Sequence, residues 1–319
     1  MRTVENADMK IADMEIADME IADMKIADKE ITDKGIADKR VAYKEIKLIA
    51  VDMDGTLVDD EKRIPEENLR ALEACAAKGI EIVPATGRTV QGVPKELKAL
   101  PGVRYGITVN GAVVADLKEN RVISSCRLPA GLAVQVMTMA RDCGDDVMYD
   151  AYVDGVGYTS ECFYGRFPQF IQSEALVRLL MSARQAVPDH IAWIRENASY
   201  VDKINMFFRD QDARERMRER LGQMPELLVS SSLSCNLEIN AAGADKGGAL
   251  IRLADFLGIA RESTMAFGDG ENDLSMIRQA GLGVAMANGV PAVKEAAEYV
   301  TLSNEEAGVA AAIRRFVLK

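Results

Sequence analysis

Ile46-Lys47-Leu48-Ile49-Ala50-Val51-Asp52-Met53-Asp54-Gly55-Thr56-Leu57 decides the fold assignment. A mostly apolar run of strand length stops at an acidic, glycine-containing loop, with no polar alternation before it. Such a strand is buried on both faces, as in a parallel sheet covered by helices. Downstream, residues 65–78 read as a helix, with Pro65 in its first turn, Leu69 and Leu72 on one side and Gly79 just past its end. Residues 80–85 give a second strand, which ends at Thr86-Gly87-Arg88.

The same alternation returns near the other end of the chain. Residues 247–257 read as a helix, 264–267 as a strand, 273–279 as a helix and 282–286 as a strand, with a further helix from Pro291. Strands and helices alternating at this spacing predict an α/β fold with a Rossmann-like parallel-sheet core. Residues 105–109 and 112–115 flank Asn110-Gly111, the signal of a two-residue hairpin turn. Between the two halves the texture changes. Residues 128–235 carry most of the aromatics, a glycine-punctuated stretch at 149–158, an apolar run at 204–208 and a charged helix at 211–220. An inserted α+β domain is expected there, interrupting a core made of 44–127 and 236–319.

Residues 7–40 repeat a five-residue unit of the form Ala-Asp-Met-Lys-Ile that degenerates toward Val41. A period of five advances roughly 140° per unit on a helix, so the isoleucines form no single stripe. On a strand, an odd period throws them onto alternate faces. Residues 1–43 are therefore set apart as a low-complexity, pentapeptide-like repeat appendage with no function assigned.

Composition removes several classes of function. The 319-residue chain has a formal charge of −11, which disfavours nucleic acid and anionic membranes as partners. No apolar stretch reaches membrane-spanning length and no signal peptide opens the sequence, so a cytoplasmic protein is expected. The five cysteines are scattered without a Cys-x-x-Cys pair, and read as reduced, buried thiols. His190, the single histidine, is expected near a turn at the surface or half-buried. One imidazole leaves no room for paired-histidine zinc sites and makes histidine-based triads improbable.

Four polar clusters follow strand-like runs, the place where open parallel sheets bind ligands. They are Asp52-Met53-Asp54-Gly55-Thr56, Thr86-Gly87-Arg88, Ala244-Asp245-Lys246-Gly247, and Gly268-Asp269-Gly270-Glu271-Asn272-Asp273. Two carboxylates at i and i+2 can face one cleft, one attacking phosphorus and the other exchanging a proton with the leaving oxygen and the hydrolytic water. Asp269 and Asp273 can complete an oxygen shell for Mg²⁺, and Lys246 supplies further positive charge. The Thr86 hydroxyl and the Gly87 amide can donate to a phosphate oxygen. Crowded acids around a phosphate need a cation, so metal dependence is expected. A calcium loop is the alternative for each acidic cluster, and both fail its template: positions 6 and 12 fall on Leu57 and Arg63, or on Leu274 and Ala280. A solvated acidic turn explains either loop taken alone, but not four clusters in order after strands.

Together these four segments resemble the ordered motifs of the haloacid dehalogenase (HAD) superfamily. The place of the insertion, and Leu237-Glu238-Ile239 ahead of Lys246, resemble its Cof-type phosphatases, whose inserted domain is an α/β cap. The likeness covers about residues 46–319. It implies Asp52 as nucleophile, Asp54 as general acid and base, and Thr86, Gly87, Lys246 and Asn272 as phosphate ligands. It further implies a Mg²⁺ site made by Asp52, Asp269, the Asp54 backbone carbonyl and Asp273, the last supporting the metal or Lys246. The implied reaction is hydrolysis of small phosphorylated metabolites such as sugar phosphates, pyridoxal phosphate, flavin mononucleotide or nucleotides. A phosphomutase is the alternative, but mutases of this superfamily usually carry a small helical cap between the first two motifs, where residues 59–80 hold one helix. A non-enzymatic phosphate-ligand binding protein would be expected to lack one of Asp52, Asp54, Lys246 or Asp269. Met286-Ala287-Asn288-Gly289 departs from the usual Met-Gly-Asn-Ala order, whereas Asn110-Gly111 matches a family segment near the cleft, a match that a hairpin turn explains equally well.

Overall fold

The computed structural model describes residues 45–318, so the repeats at 7–40 lie outside the described residues. The first half of the core runs β1 (Leu48–Val51), α1 (Glu66–Ala77), β2 (Glu81–Pro84), α2 (Lys95–Ala99), β3 (Tyr105–Thr108), β4 (Val113–Asp116) and β5 (Arg121–Ser125). The insertion follows with β6 (Leu128–Pro129), α3 (Ala130–Arg141), β7 (Val147–Val153), β8 (Val156–Ser160), α4 (Glu161–Tyr164), α5 (Glu174–Ser182) and β9 (Arg184–Val187). It continues through α6 (His190–Asn197), β10 (Tyr200–Val201), β11 (Lys203–Phe208), α7 (Gln211–Gly222), β12 (Leu227–Ser230) and β13 (Asn236–Ala241). The chain returns to the core with α8 (Lys246–Leu257), β14 (Thr264–Gly268), α9 (Leu274–Gln279), β15 (Leu282–Ala285), α10 (Pro291–Ala296), β16 (Tyr299–Val300) and α11 (Gly308–Phe316).

The core sheet has the order β16-β15-β14-β1-β2 and every pairing is parallel. β1 sits inside it with Ile49 and Val51 in one apolar cluster and Leu48 and Ala50 in the other, which is why the strand reads as apolar without alternation. All five strands therefore end at one edge, and Asp52, Thr86 and Asp269 follow three of those ends. The loop after β1 turns back at once: Leu57 N donates to the carbonyls of Asp52 and Met53. Gly55 makes the turn with φ 84°, and a Cβ there would strike the Asp269 carboxylate.

The inserted sheet runs β12-β13-β11-β7-β8-β9, antiparallel except where β8 meets β9. Its central strands β7, β11 and β13 are buried along their whole length, and successive residues alternate between its two faces. On β11, Ile204, Met206 and Phe208 pack toward α3, α6 and α7, whereas Lys203, Asn205 and Phe207 line the cleft above the core. β13 repeats the pattern, with Leu237 and Ile239 inward and Asn236 and Glu238 toward the cleft. This sheet roofs the carboxyl edge of the core.

Three expectations need correction. β3 and β4 do pair antiparallel, but Asn110-Gly111 is not a two-residue turn. The last register pair is Thr108–Val113, and Val109, Asn110 and Gly111 all have positive φ (53°, 59° and 94°). The wider loop brings Asn110 onto Glu238 and Asn272, which line the cleft, and Gly111 is packed so tightly on the Asp245 backbone that no Cβ fits. His190 is buried at the start of α6 instead of near the surface, packed against the tilted Tyr149 ring 4.9 Å away and the edge of Phe163. The five cysteines are free, but Cys143 and Cys162 are exposed, the first just past the end of α3 and the second on the short α4. No helix among the described residues is long and apolar enough to cross a membrane.

Candidate active site

At the end of β1, Asp52 is held by its backbone N–H on the Phe267 carbonyl of β14 and is almost fully buried. Lys246 enters from the first turn of α8, a helix whose start is fixed by the Asp245 side chain accepting from Gly248 N. Its Nζ lies 2.6 Å from Asp52 Oδ1 and 2.6 Å from Asp273 Oδ1, with no exposed surface. Asp273 Oδ2 accepts from the amides of Asp269 and Gly270, so that carboxylate both anchors Lys246 and shapes the loop after β14. Thr56 Oγ1 donates to Asp269 Oδ1 at 2.7 Å.

Carboxylate oxygens of Asp52, Asp269 and Asp273 lie within 4.8 Å of one another. Burial, then the neighbouring Asp273 and Asp269, push the Asp52 carboxyl well above its usual range against the pull of Lys246. Burial and Asp273 likewise push Asp269 up to about 6. Burial alone would lower Lys246, but Asp273 and Asp52 outweigh it and hold the ammonium charged. None of the described residues donates to Asp52 Oδ2 or Asp269 Oδ2. Two undonated carboxylate oxygens whose anionic form is disfavoured are the donor set a small hard divalent cation fits. Asp273, with both oxygens occupied by Lys246 and two amides, is placed to support that pair from behind.

Asp54 has a different environment although it lies two residues on. Arg88 clamps it through Nε at 2.8 Å and Nη2 at 2.7 Å, and Lys62 Nζ sits 3.0 Å from Oδ1. Burial would raise its pKa, but these two cations bring it down to about 2. The Asp54 side chain thus stands apart from the three clustered carboxylates. Thr86 is buried after β2, and its Oγ1 accepts from Arg88 N at 3.1 Å. Asn272 Nδ2 donates to Asn110 Oδ1 at 3.2 Å.

One cavity is lined from below by Asp52, Asp54, Thr86, Gly87, Asp269 and Asn272, and from above by the inserted domain. Tyr152, Phe207, Leu176, Leu180 and Leu233 give the roof a largely apolar wall, and Arg184 and Asn205 add polar points. The structure thus brings Asp52, Lys246, Asp269 and Asp273 into contact and sets Asp54, Thr86, Gly87 and Asn272 around the same cleft. Lys62, Lys203 and Glu238 also line it, and Asn110 joins them through its hydrogen bonds to Glu238 and Asn272; motif reading assigned none of Lys62, Lys203 and Glu238 a role in the site. For Lys203 and Glu238 a signal existed: on their strands they fall in phase with the other cleft-facing positions.

A family model described as haloacid dehalogenase-like hydrolase matches residues 49–313. A 5-amino-6-(5-phospho-D-ribitylamino)uracil phosphatase of Bacillus subtilis is 35% identical over 274 residues, which cover 86% of this chain and 97% of that protein. A solved haloacid dehalogenase-like hydrolase from B. subtilis superposes with a TM-score of 0.76 at 30% identity, over 85% of this chain and 100% of the other. The structure of a sugar phosphatase of HAD subclass IIB superposes with a TM-score of 0.69 at 28% identity, over 85% of this chain and 98% of the other.

Proposed function

The chain belongs to the haloacid dehalogenase-like hydrolases and is a phosphatase, and from that premise we propose that it hydrolyses small phosphorylated metabolites with Mg²⁺ through a phospho-aspartyl intermediate on Asp52. The observation that carries this reading is the meeting of Asp52, Lys246 and Asp269 under the same cavity that Asp54 and Thr86 line. Asp52 and Asp269 would hold the Mg²⁺, with the Asp54 backbone carbonyl, and Asp273 would support them. When bound, the cation neutralises the crowded carboxylates and the phosphate charge.

In the first half-reaction a carboxylate oxygen of Asp52 bonds to phosphorus as the bond to the leaving oxygen breaks, and Asp54 gives that oxygen a proton. In the second, Asp54 takes a proton from water, whose oxygen attacks phosphorus, so the bond to Asp52 breaks and inorganic phosphate leaves. Lys246 and the donors Thr86, Gly87 and Asn272 would carry the charge on the phosphate oxygens. Arg88 and Lys62 hold Asp54 as the carboxylate, the form the second half-reaction uses. Donating a proton in the first requires Arg88 to release at least one of its oxygens.

The apolar roof favours a leaving group with a ring or other apolar face over a bare short sugar. The Bacillus relative is named for a ribitylaminouracil phosphate, a polyol phosphate carrying a heterocycle. Such a compound, pyridoxal phosphate, flavin mononucleotide, nucleotides and sugar phosphates form the set to screen. Asp52→Asn should keep the fold and lose turnover by about 10⁴-fold or more, because the amide is no nucleophile. Wild-type protein should be silenced by EDTA and restored by Mg²⁺. Undiminished hydrolysis by the Asn variant rules the mechanism out.

A further inference from the structure

Lys203 opens β11 in the inserted domain, yet its ammonium ends on the core. Nζ donates to the Gly87 carbonyl at 2.8 Å and to Glu238 Oε1 on neighbouring β13 at 2.9 Å. Glu238 Oε2 in turn accepts from Asn110 Nδ2 at 2.7 Å, and Asn110 Oδ1 accepts from Asn272 Nδ2 at 3.2 Å. A continuous chain of hydrogen bonds therefore leaves the core at Gly87, crosses the inserted sheet through Lys203 and Glu238, and re-enters the core at Asn110 and Asn272. Its two ends are the loops proposed to grip the phosphate. Space is tight there: a Cβ on Gly87 would stand 2.8 Å from Asn110 Oδ1.

Other charged pairs of this domain do different work. Arg184 is also buried, but Asp150 and the Leu180 carbonyl, its partners, lie in the same domain. Arg218 does cross to the core, pairing with Glu271, but on an exposed rim where such a pair adds little. The Lys203–Glu238 pair is buried on both sides. A buried ion pair is poor stabilisation, since apolar residues of equal volume often serve as well. Its placement points to alignment.

We propose that Lys203 is a positioning residue: by holding the Gly87 carbonyl it aligns Thr86 and, through Glu238 and Asn110, Asn272, so the phosphate site is set for transfer while the inserted sheet is seated over it. This rests on the phosphatase reading above. The test compares melting temperature and steady-state kinetics, on the best substrate from the screen, of wild type and the double variant Lys203→Met/Glu238→Gln. That variant removes both charges while keeping volume and an acceptor for Asn110. It should melt within a few degrees of wild type, lose about 100-fold in kcat, as small misplacements of reacting groups do, and change KM less than about threefold. A kcat within about threefold of wild type in the folded variant overturns the proposal. Should the double variant melt early, Lys203→Arg reads the same quantity, because it keeps the charge opposite Glu238 but replaces the compact ammonium with a planar fork. There a kcat loss of about tenfold or more supports the proposal, and an unchanged kcat overturns it. Wild-type protein that turns over no phosphate ester removes the phosphatase reading and this inference together, whereas an active wild type with an unaffected variant removes this inference alone.

Discussion

Asp52 and Asp54 leave one loop two residues apart and end in opposite electrostatic states. Asp52 is pushed up by burial and by two neighbouring carboxylates, and Asp54 is held down to about 2 by Arg88 and Lys62 against its burial. The spacing put both at one cleft, but it could not assign the charges that meet them, because Arg88 lies 34 residues away from Asp54 and Asp273 far beyond that. His190 is another residue whose state depends on its neighbours. Burial lowers its pKa to about 4, and neither ring nitrogen has a hydrogen-bond partner among the described residues. The unfolded chain takes up a proton on this imidazole below about 6.5, whereas the folded protein resists it until about 4, so stability falls as pH drops through that window. Between pH 7 and pH 5 this one group should cost about 2 kcal/mol. His190→Leu should flatten the acid limb by that amount in urea unfolding measured at both pH values. A variant with the same pH dependence as wild type rules out the account.

At the scale of elements, helix α1 reads in the sequence as amphipathic, with Leu69 and Leu72 on its inner side, and it forms as expected. Asn68 on that helix gave no signal, since a polar helix residue reads by default as solvent-facing. It is fully buried: Nδ2 donates to the Leu57 carbonyl at 3.2 Å and Oδ1 accepts from Ala310 N at 2.9 Å. It thus ties the loop that follows Asp52 to α11. Asn68→Ala should leave two buried backbone groups without partners and destabilise the fold by about 1–3 kcal/mol, read as a lower urea midpoint. A midpoint unchanged within error contradicts the tie. The β3–β4 connection teaches the same lesson, because Asn110-Gly111 carries a turn signal whether the turn closes a plain hairpin or delivers a side chain to a cleft. Contact with Asn272 and Glu238 decided between them.

For the whole molecule, the four motif segments lie within the described residues 45–318. Protein cut before Tyr43 should keep kcat/KM within about twofold of the full chain, checked with the Mg²⁺-dependent assay, and a larger loss in a folded truncation would give the repeats a part in catalysis. The amino-acid sequence by itself determined the parallel core, the existence of an insertion and the four loops that carry Asp52, Thr86, Lys246 and Asp269. These are local patterns: an apolar run ending in an acidic loop reports its own strand, and parallel strands share one carboxyl edge. Only the tertiary structure decided that Arg88 and Lys62 clamp Asp54, that Asn110 bonds Glu238 and Asn272, and that Lys203 reaches Gly87, 116 residues away in the chain. Period-two alternation says which residues share a face of the inserted sheet, but the core loop beneath that face depends on how the insertion packs against the core, where Val109, Ala112 and Val113 join its apolar cluster, and no local spacing encodes that.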